Sequence, residues 1–357
     1  MTDQSVRKDR DTGGRALLVA ASLIIVIAGM KAAKTLILPF LLALFLAMVT
    51  LPLLNWLRAK KLPTPLAVLL TLVVAASIVV GLSLMIGGSV ANITDEIPKY
   101  RERLAEISGD LIAQLEAWGV PVSEELYTDL VQPDKAWAWA QSGLRGIATA
   151  LSNIFLVLLT IVFVLFEAAG IPAKLNKAFG HRRNSDRFEK IKSEVQQYLA
   201  AKTIISLTTG ILVGVGLTIV GVDFAVLWAS LAFVLNYIPN LGSIIAAVPA
   251  VLLAMIQFGP VQALTVAIIF IAVNVSLGNG VEPYLVGRKV GLSTLVVFLS
   301  LVFWGWVWGP VGMLLSVPLT MIAKIMLENT EDLRWIAVLL GPAPSEEKKP
   351  PKKAGAG

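Results

Sequence analysis

Seven stretches of this chain, 36–57, 66–90, 148–166, 203–222, 224–257, 261–277 and 292–323, are apolar almost from end to end. No single soluble core has room for that many long apolar segments. Each is long enough to cross a bilayer as a helix or to return within it as a hairpin. The composition agrees: 56% of the 357 residues are hydrophobic and 15% are charged, against about 25% charged in soluble domains. The expected fold is an all-α polytopic membrane protein.

A further apolar run, Ala16 to Met30, follows a basic start and has the length of a signal peptide. No small-x-small cleavage site precedes Lys31, so it is expected to remain as a span. That gives about eight spans in all, counting two helical hairpins. The net charge of +6 does not point to nucleic acid, because the basic residues sit in short clusters beside apolar runs. Such clusters set orientation through the positive-inside rule. The chain has no cysteine, which excludes disulfides, thiolate catalysis and Cys-based metal sites.

Charge then orders the chain. Arg7, Lys8, Arg10 and Arg15 place the N-terminus in the cytoplasm; Lys31 and Lys34 violate the rule but flank a tight hairpin. Arg58, Lys60 and Lys61 bring the second span back inside. The expected organisation is a cytoplasmic N-terminus (1–15), a three-span scaffold (16–90) and an acidic extracytoplasmic helical segment (91–146). A fourth span with a strongly basic cytoplasmic linker follows (147–201), and then a transport core (202–326). An amphipathic segment (327–340) and a disordered, Pro- and Lys-rich tail (341–357) complete the chain, with the C-terminus cytoplasmic. In the outer segment, Ile93, Ile97, Tyr100, Leu104, Ile107, Leu111 and Leu115 recur at spacings of three and four, predicting an amphipathic helix over 93–118. Gly119-Val120-Pro121 ends it, and Ser123-Glu124-Glu125 starts a second, short helix.

The core contains a weak internal repeat, about seventy residues apart, of the broken apolar kind that points to a transporter's binding site. Ser206-Leu207, Gly210, Ser230-Leu231-Ala232-Phe233, Pro239-Asn240-Leu241-Gly242 and Val248-Pro249 match Ser276-Leu277, Gly280, Ser300-Leu301-Val302-Phe303, Gly309-Pro310-Val311-Gly312 and Val317-Pro318. With the charge pattern, this predicts an inverted repeat in which each copy is one span plus one hairpin. The hairpins, 224–257 and 292–326, would run in opposite orientations and meet near the midplane. The arms of the first, 224–236 and 241–256, are short of the roughly 20 residues of a full span, so partial penetration is expected.

Several polar residues in the core need an explanation. Glu282 sits in Asn279-Gly280-Val281-Glu282-Pro283 at the end of an apolar run. A carboxylate in the hydrocarbon core costs roughly 2.5–3.5 kcal/mol on insertion scales and tends to face a cavity or a partner. Pro283 keeps Val281-Glu282 from ordinary helical continuation, and Arg288 is the expected partner. A glutamate in a cytoplasmic loop explains the position equally well. Asn274 and Asn279 lie on the same apolar segment and serve either the pathway or helix–helix linkage. Asn236, Tyr237, Pro239, Asn240 and Gly242 mark the first hairpin's turn and offer turn chemistry or ligand groups. Trp304, Trp306 and Trp308, with Gly309 and Gly312, mark the second turn as interfacial anchors or an aromatic wall. Glu167 reads as interfacial and Asp223 as a loop residue.

Enzyme chemistry has little to stand on. The sole histidine, His181, lies in the basic linker, and no Gly-x-x-x-x-Gly-Lys-Ser/Thr phosphate loop is present. This excludes His-paired zinc sites, His-based triads and ATP-driven pumping within the chain. Neither a cofactor nor a metal is expected.

The ordered set Asn236-Tyr237-Ile238-Pro239-x-x-Gly242, Asn279-x-x-Glu282-Pro283-x-x-x-Gly287, Gly291-Leu292-Ser293, Phe303-Trp304-Gly305 and Trp308-Gly309-x-x-Gly312 with Pro318-Leu319 resembles the autoinducer-2 exporter family of bacterial inner-membrane permeases. The resemblance covers about 15 to 340. Where family members often carry Pro after Leu-Ser, this chain has Ser293-Thr294-Leu295. The resemblance implies a secondary transporter. Some members export a furanone-type signal, others look like cation–proton antiporters, and many have no assigned substrate. The expected function is export of a small polar solute or signal. The alternatives are monovalent cation–proton antiport through Glu282, or a non-transporting scaffold whose outer segment binds envelope partners. Membrane lipid and a second copy of the chain are the expected partners; Gly81, Ser83, Gly87 and Gly88 offer a face for close helix packing.

Overall fold

A computed structural model describes residues 17–18, 21–117, 154–179, 184–239, 241–286, 291–328, 330 and 333–342. Among them, all regular structure is helical: α1 (Ala21–Ala32), α2 (Lys34–Ala59), α3 (Thr64–Ala117), α4 (Ile154–Phe179), α5 (Asn184–Val220), α6 (Ala225–Leu235), α7 (Gly242–Phe258), α8 (Pro260–Asn274), α9 (Glu282–Val286), α10 (Thr294–Trp308), α11 (Pro310–Glu328) and α12 (Arg334–Leu339). A π-helical stretch, Val275–Val281, joins α8 to α9. Lys34–Ala59, Thr64–Ser89, Ser193–Val220, Pro260–Val281 and Pro310–Glu328 are each long and apolar enough to cross a membrane, and shorter apolar helices lie between them. The chain is an all-α polytopic membrane protein.

Three apolar clusters hold the helices together. Ala43, Ala47 and Leu54 of α2 pack with Val68 of α3 and Ile161 and Leu165 of α4. The small alanines let α4 approach α2 closely, as suits helices that share lipid as solvent. A second cluster joins Val213 and Leu217 of α5, Leu227 and Leu231 of α6, Ala246, Ala250 and Ala254 of α7, and Val266 and Phe270 of α8. A third links the two groups: Phe45 of α2 meets Val195 and Leu199 of α5, Tyr237 at the α6–α7 turn, and Leu315 and Met321 of α11.

Two helical hairpins are present where the repeat placed them. In α6–α7, Gly242 lies against the Leu235 carbonyl; in α10–α11, Gly312 lies against the Trp304 carbonyl. In both places a Cβ would overlap the carbonyl oxygen of the first arm. Matched glycines thus close both turns by the same backbone contact. At 1.5 Å per residue, the 11-residue α6 is about 16 Å long and the 17-residue α7 about 26 Å. Both fall short of a roughly 30 Å hydrocarbon core.

The hairpins open toward opposite ends of the molecule. The base of α6–α7 is tied to α3 beyond its membrane stretch, through Tyr100 and Asp223. The turn of α10–α11 sits at the other limit of its own hairpin, beside the α1–α2 corner: Gly309 adjoins Lys34, and Trp308 Nε1 donates to the Met30 carbonyl at 3.1 Å. Since α2 and α3 are antiparallel neighbours, Lys34 and Tyr100 lie toward the same end. The base of α10–α11 is therefore remote from that end. There, Ser293 caps α10, its Oγ accepting from Val296 N, and its own N–H donates to the Leu340 carbonyl beyond α12. The Ser293-Thr294 departure noted in the sequence leaves a regular helix start.

One expected boundary differs. The third span and the outer helix are one helix, Thr64–Ala117, with Pro98 inside it. A proline removes one backbone donor, and the flanking turns hold the helix on either side. α5 runs unbroken from Asn184 to Val220, so the last helix of the linker continues directly into the following span. Of the expected fourth span at 147–168, residues 154–168 lie in α4 and 147–153 lie outside the described residues. The Gly119-Val120-Pro121 break, the short helix after it and the tail lie outside the described residues.

Candidate functional site

The irregular backbone before Glu282 has a local cause. In an α-helix the Pro283 ring would clash with the carbonyl four residues back, at Asn279. The chain widens instead into i→i+5 spacing over Val275–Val281, and Glu282 N–H bonds the Leu277 carbonyl. Single π-turns of this kind concentrate at functional sites. The widened turn delivers Glu282 to the side of α5.

There Glu282 meets Lys202. The Lys202 Nζ donates to Glu282 Oε1 at 3.1 Å and to Oε2 at 3.0 Å. The side chain of Lys202 is 5% exposed and that of Glu282 30%. Lys202 stands within the candidate membrane span Ser193–Val220, where an unpaired charge is costly. The pair removes most of that cost. Breaking such a buried pair from one side costs about 3–5 kcal/mol, because it strands the other charge.

The next turn of α5 extends the polar layer. Tyr237 donates its hydroxyl hydrogen to Thr203 Oγ1 at 2.8 Å, and Asn236 Nδ2 donates to Ser206 Oγ at 3.0 Å. The Tyr237 ring is held edge-on by Phe45 at 5.3 Å and by Phe233 at 6.0 Å. Tyr198, one turn before Lys202, is also buried. Lys202, Thr203 and Ser206 of α5 thus hold the first hairpin's turn and the widened helix to one side of α5.

The other expected site residues divide. Trp304 and Trp308 stack at 4.9 Å, and Trp304 Nε1 donates to Thr320 Oγ1 at 3.0 Å. Lys31 lies over the Trp306 ring at 4.2 Å. These tryptophans, with Gly309 and Gly312, build the second hairpin's turn and are separate from the Lys202–Glu282 layer. Asn274 turns back on its own helix, Nδ2 donating to the Phe270 carbonyl at 2.8 Å, and Asn279 is exposed. Pro239 lies in the first turn and its carbonyl accepts from Leu241 N–H. Asn240 and Arg288, the expected partner of Glu282, lie outside the described residues. Lys202 was missed as a site residue, although it is the lone charge between Glu194 and Asp223. Among the described residues, no three His, Cys, Asp or Glu side chains gather as a metal site.

A second polar assembly lies at the hairpin's base. Tyr100 donates to Asp223 Oδ2 at 2.8 Å, Asp223 N–H donates to Gln257 Oε1 at 3.1 Å, and Trp228 Nε1 donates to the Asp223 carbonyl at 3.0 Å. Asp223, a loop residue as expected, therefore ties α3 to α6 and α7. Desolvation, then the bond to Asp223, raises the Tyr100 phenol above its ordinary value. A polar cavity of about 500 Å³ with Lys99, Arg103 and Glu102 on its wall surrounds this clasp. A larger groove of about 860 Å³ runs between α3, α5 and α6. Its Thr203, Thr218 and Ser230 hydroxyls donate back to carbonyls of their own helices, so the groove presents apolar surface.

Comparison with known proteins places this arrangement. The family described as AI-2E family transporter matches residues 20–332. The AI-2 transport protein TqsA of Escherichia coli (strain K12) is 38% identical over 329 residues, covering 92% of this chain and 96% of that protein. YhhT of the same strain is 36% identical over 340 residues, covering 95% and 97%. A relative in Haemophilus influenzae is 38% identical over 334 residues, covering 92% and 96%. With helices long and apolar enough to cross a bilayer and a charge pair set among them, the chain is a membrane transporter and belongs to the AI-2E transporter family.

Proposed function

We propose that this protein is a secondary transporter of the bacterial inner membrane that exports a small polar solute or signal of the autoinducer-2 kind. The observation that carries the reading is the Lys202–Glu282 pair. A lysine almost wholly buried in an apolar helix, neutralised by a carboxylate on a widened, proline-limited turn, is an expensive arrangement. A structural tie needs no charge at that depth, whereas a pathway that binds and releases a polar solute does. The Asn236–Ser206 and Tyr237–Thr203 bonds place further polar groups beside it.

In this reading, residues 202–326 form an inverted repeat whose two hairpins move against a frame of α1 to α4. Both termini are cytoplasmic. The matched closure at Gly242 and Gly312, and the opposite openings of the hairpins, support the repeat. The frame is a homo-oligomer, supported by the open faces of Gly81, Gly87 and Gly88, where a Cβ would meet nothing within 4 Å. Native mass spectrometry reads the copy number; a monomer that still transports after reconstitution refutes this part.

The test of function uses inside-out vesicles. Solute accumulation is expected with the native chain and not with a well-inserted Glu282→Gln protein. Unchanged accumulation by Glu282→Gln removes Glu282 from the pathway. Dissipation of a pH gradient by Na⁺ or K⁺ without solute uptake favours cation–proton antiport instead.

A further inference from the structure

We infer that Lys202 determines the charge specificity of the site: its tethered ammonium fills the cation position of Glu282 and excludes inorganic monovalent cations from it. The inference rests on the reading that Glu282 lines the transport path. Three observations carry it.

A single nitrogen, Lys202 Nζ, reaches both carboxylate oxygens of Glu282, at 3.0 and 3.1 Å. That bridging position is the one a monovalent cation takes on an isolated carboxylate. It is already occupied by a positive charge fixed to the protein.

The two charges are also unequally placed. Lys202 is 5% exposed and Glu282 30%, so the ammonium lies behind the carboxylate as seen from open space. A cation that approached Glu282 would have to shed water, displace the ammonium, and leave Lys202 charged and buried without its partner. A stranded buried charge is what protein interiors tolerate least.

Nor does any cluster of acidic groups compensate. Glu282 belongs to no group of three His, Cys, Asp or Glu side chains among the described residues, and the pair sums to zero charge. An ionised carboxylate has about four lone-pair positions, of which Lys202 takes two. The remainder accept hydrogen bonds from a neutral donor. The solute class that fits is therefore an uncharged molecule bearing hydroxyl or amide N–H groups.

The experiment measures thermal unfolding of the purified full chain in LiCl, NaCl or KCl, with choline chloride as the reference at equal ionic strength. The native protein is expected to unfold at the same temperature in all four. Lys202→Met exposes an unpaired Glu282; at least one inorganic cation is then expected to raise its unfolding temperature by several degrees, saturably, by mass action. Lys202→Met/Glu282→Gln is expected to show no cation response. A saturable cation response in the native chain overturns the inference. So does a folded Lys202→Met protein with no response, or one that cannot be recovered folded in any of the four salts. The readout is ion binding, so it decides the role of Lys202 whether or not the vesicle assay finds a transported solute.

Discussion

Gly242 lies so close to the Leu235 carbonyl that a Cβ there would overlap the oxygen, and the first hairpin closes on that contact. Gly312 repeats it against Trp304 in the second. Gly242→Ala and Gly312→Ala must each push two packed helices apart. We expect a loss of at least the roughly 1–3 kcal/mol typical of an overpacked core, read as a lower aggregation temperature in detergent. Gly280→Ala is the control: a Cβ there meets nothing within 4 Å, and a change within about 1 kcal/mol is expected. Equal losses at all three positions would show that the hairpin contact is not what fixes these glycines.

The charge pair predicts a non-additive pattern. Lys202→Met and Glu282→Gln should each destabilise by about 3–5 kcal/mol, since each strands the other partner. The double replacement should recover a large part, because no charge is left buried alone. The coupling between the two sites is expected in the range of about 0.5–3 kcal/mol that contacting residues show. Denaturation of all four proteins in one detergent measures it. Additive losses would mean that each side chain is held by other neighbours.

Much of this architecture was legible in the residues. The apolar runs gave the helices because lipid leaves the backbone few alternatives, and Gly309-Pro310 announced a turn because both residues punctuate helices. The partner of Glu282 was not legible. Among the described residues, a side chain on α5, eighty residues earlier, takes the contact; Arg288, near Glu282 in sequence, lies outside them. Sequence proximity says little once a π-turn rotates the carboxylate toward another helix. Lys202 drew no expectation because it stands at the first residue of the expected core, next to the basic linker, where a lysine at the membrane surface is ordinary. The unbroken α3 was hidden for a related reason: Pro98 and the change to a polar surface both suggest a boundary, while backbone hydrogen bonding continues across them.

The second turn depends on a bond that the aromatic stack conceals. Trp304 stacks on Trp308, and its Nε1 also donates to Thr320 Oγ1, on the facing arm. Thr320 is buried. Trp304→Phe keeps an aromatic ring but leaves that hydroxyl without its donor, for a loss of about 1–3 kcal/mol. Thr320→Val removes the acceptor as well, so Trp304→Phe/Thr320→Val should lose less than the sum. An additive double variant would assign the Trp304 effect to ring size alone.

The outer clasp is predicted to act on stability in a pH-dependent manner. The Tyr100 hydroxyl donates to Asp223 Oδ2, and burial with that bond raises the phenol's pKa above its ordinary value of 10.0. The protonated phenol is the form that the fold favours. Its contribution is therefore complete below pH 10 and is lost as pH rises from there through the raised folded value. Tyr100→Phe removes the bond at every pH. Because the site is partly solvated, we expect a loss of only about 1 kcal/mol at neutral pH. Above pH 10 the gap between the native and Tyr100→Phe proteins should narrow. Asp223→Asn keeps a weaker acceptor and should fall between the two. Thermal unfolding of all three proteins from pH 7 to 11 makes the comparison, and a gap that widened with alkalinity would mean that Tyr100 is not the donor in this clasp.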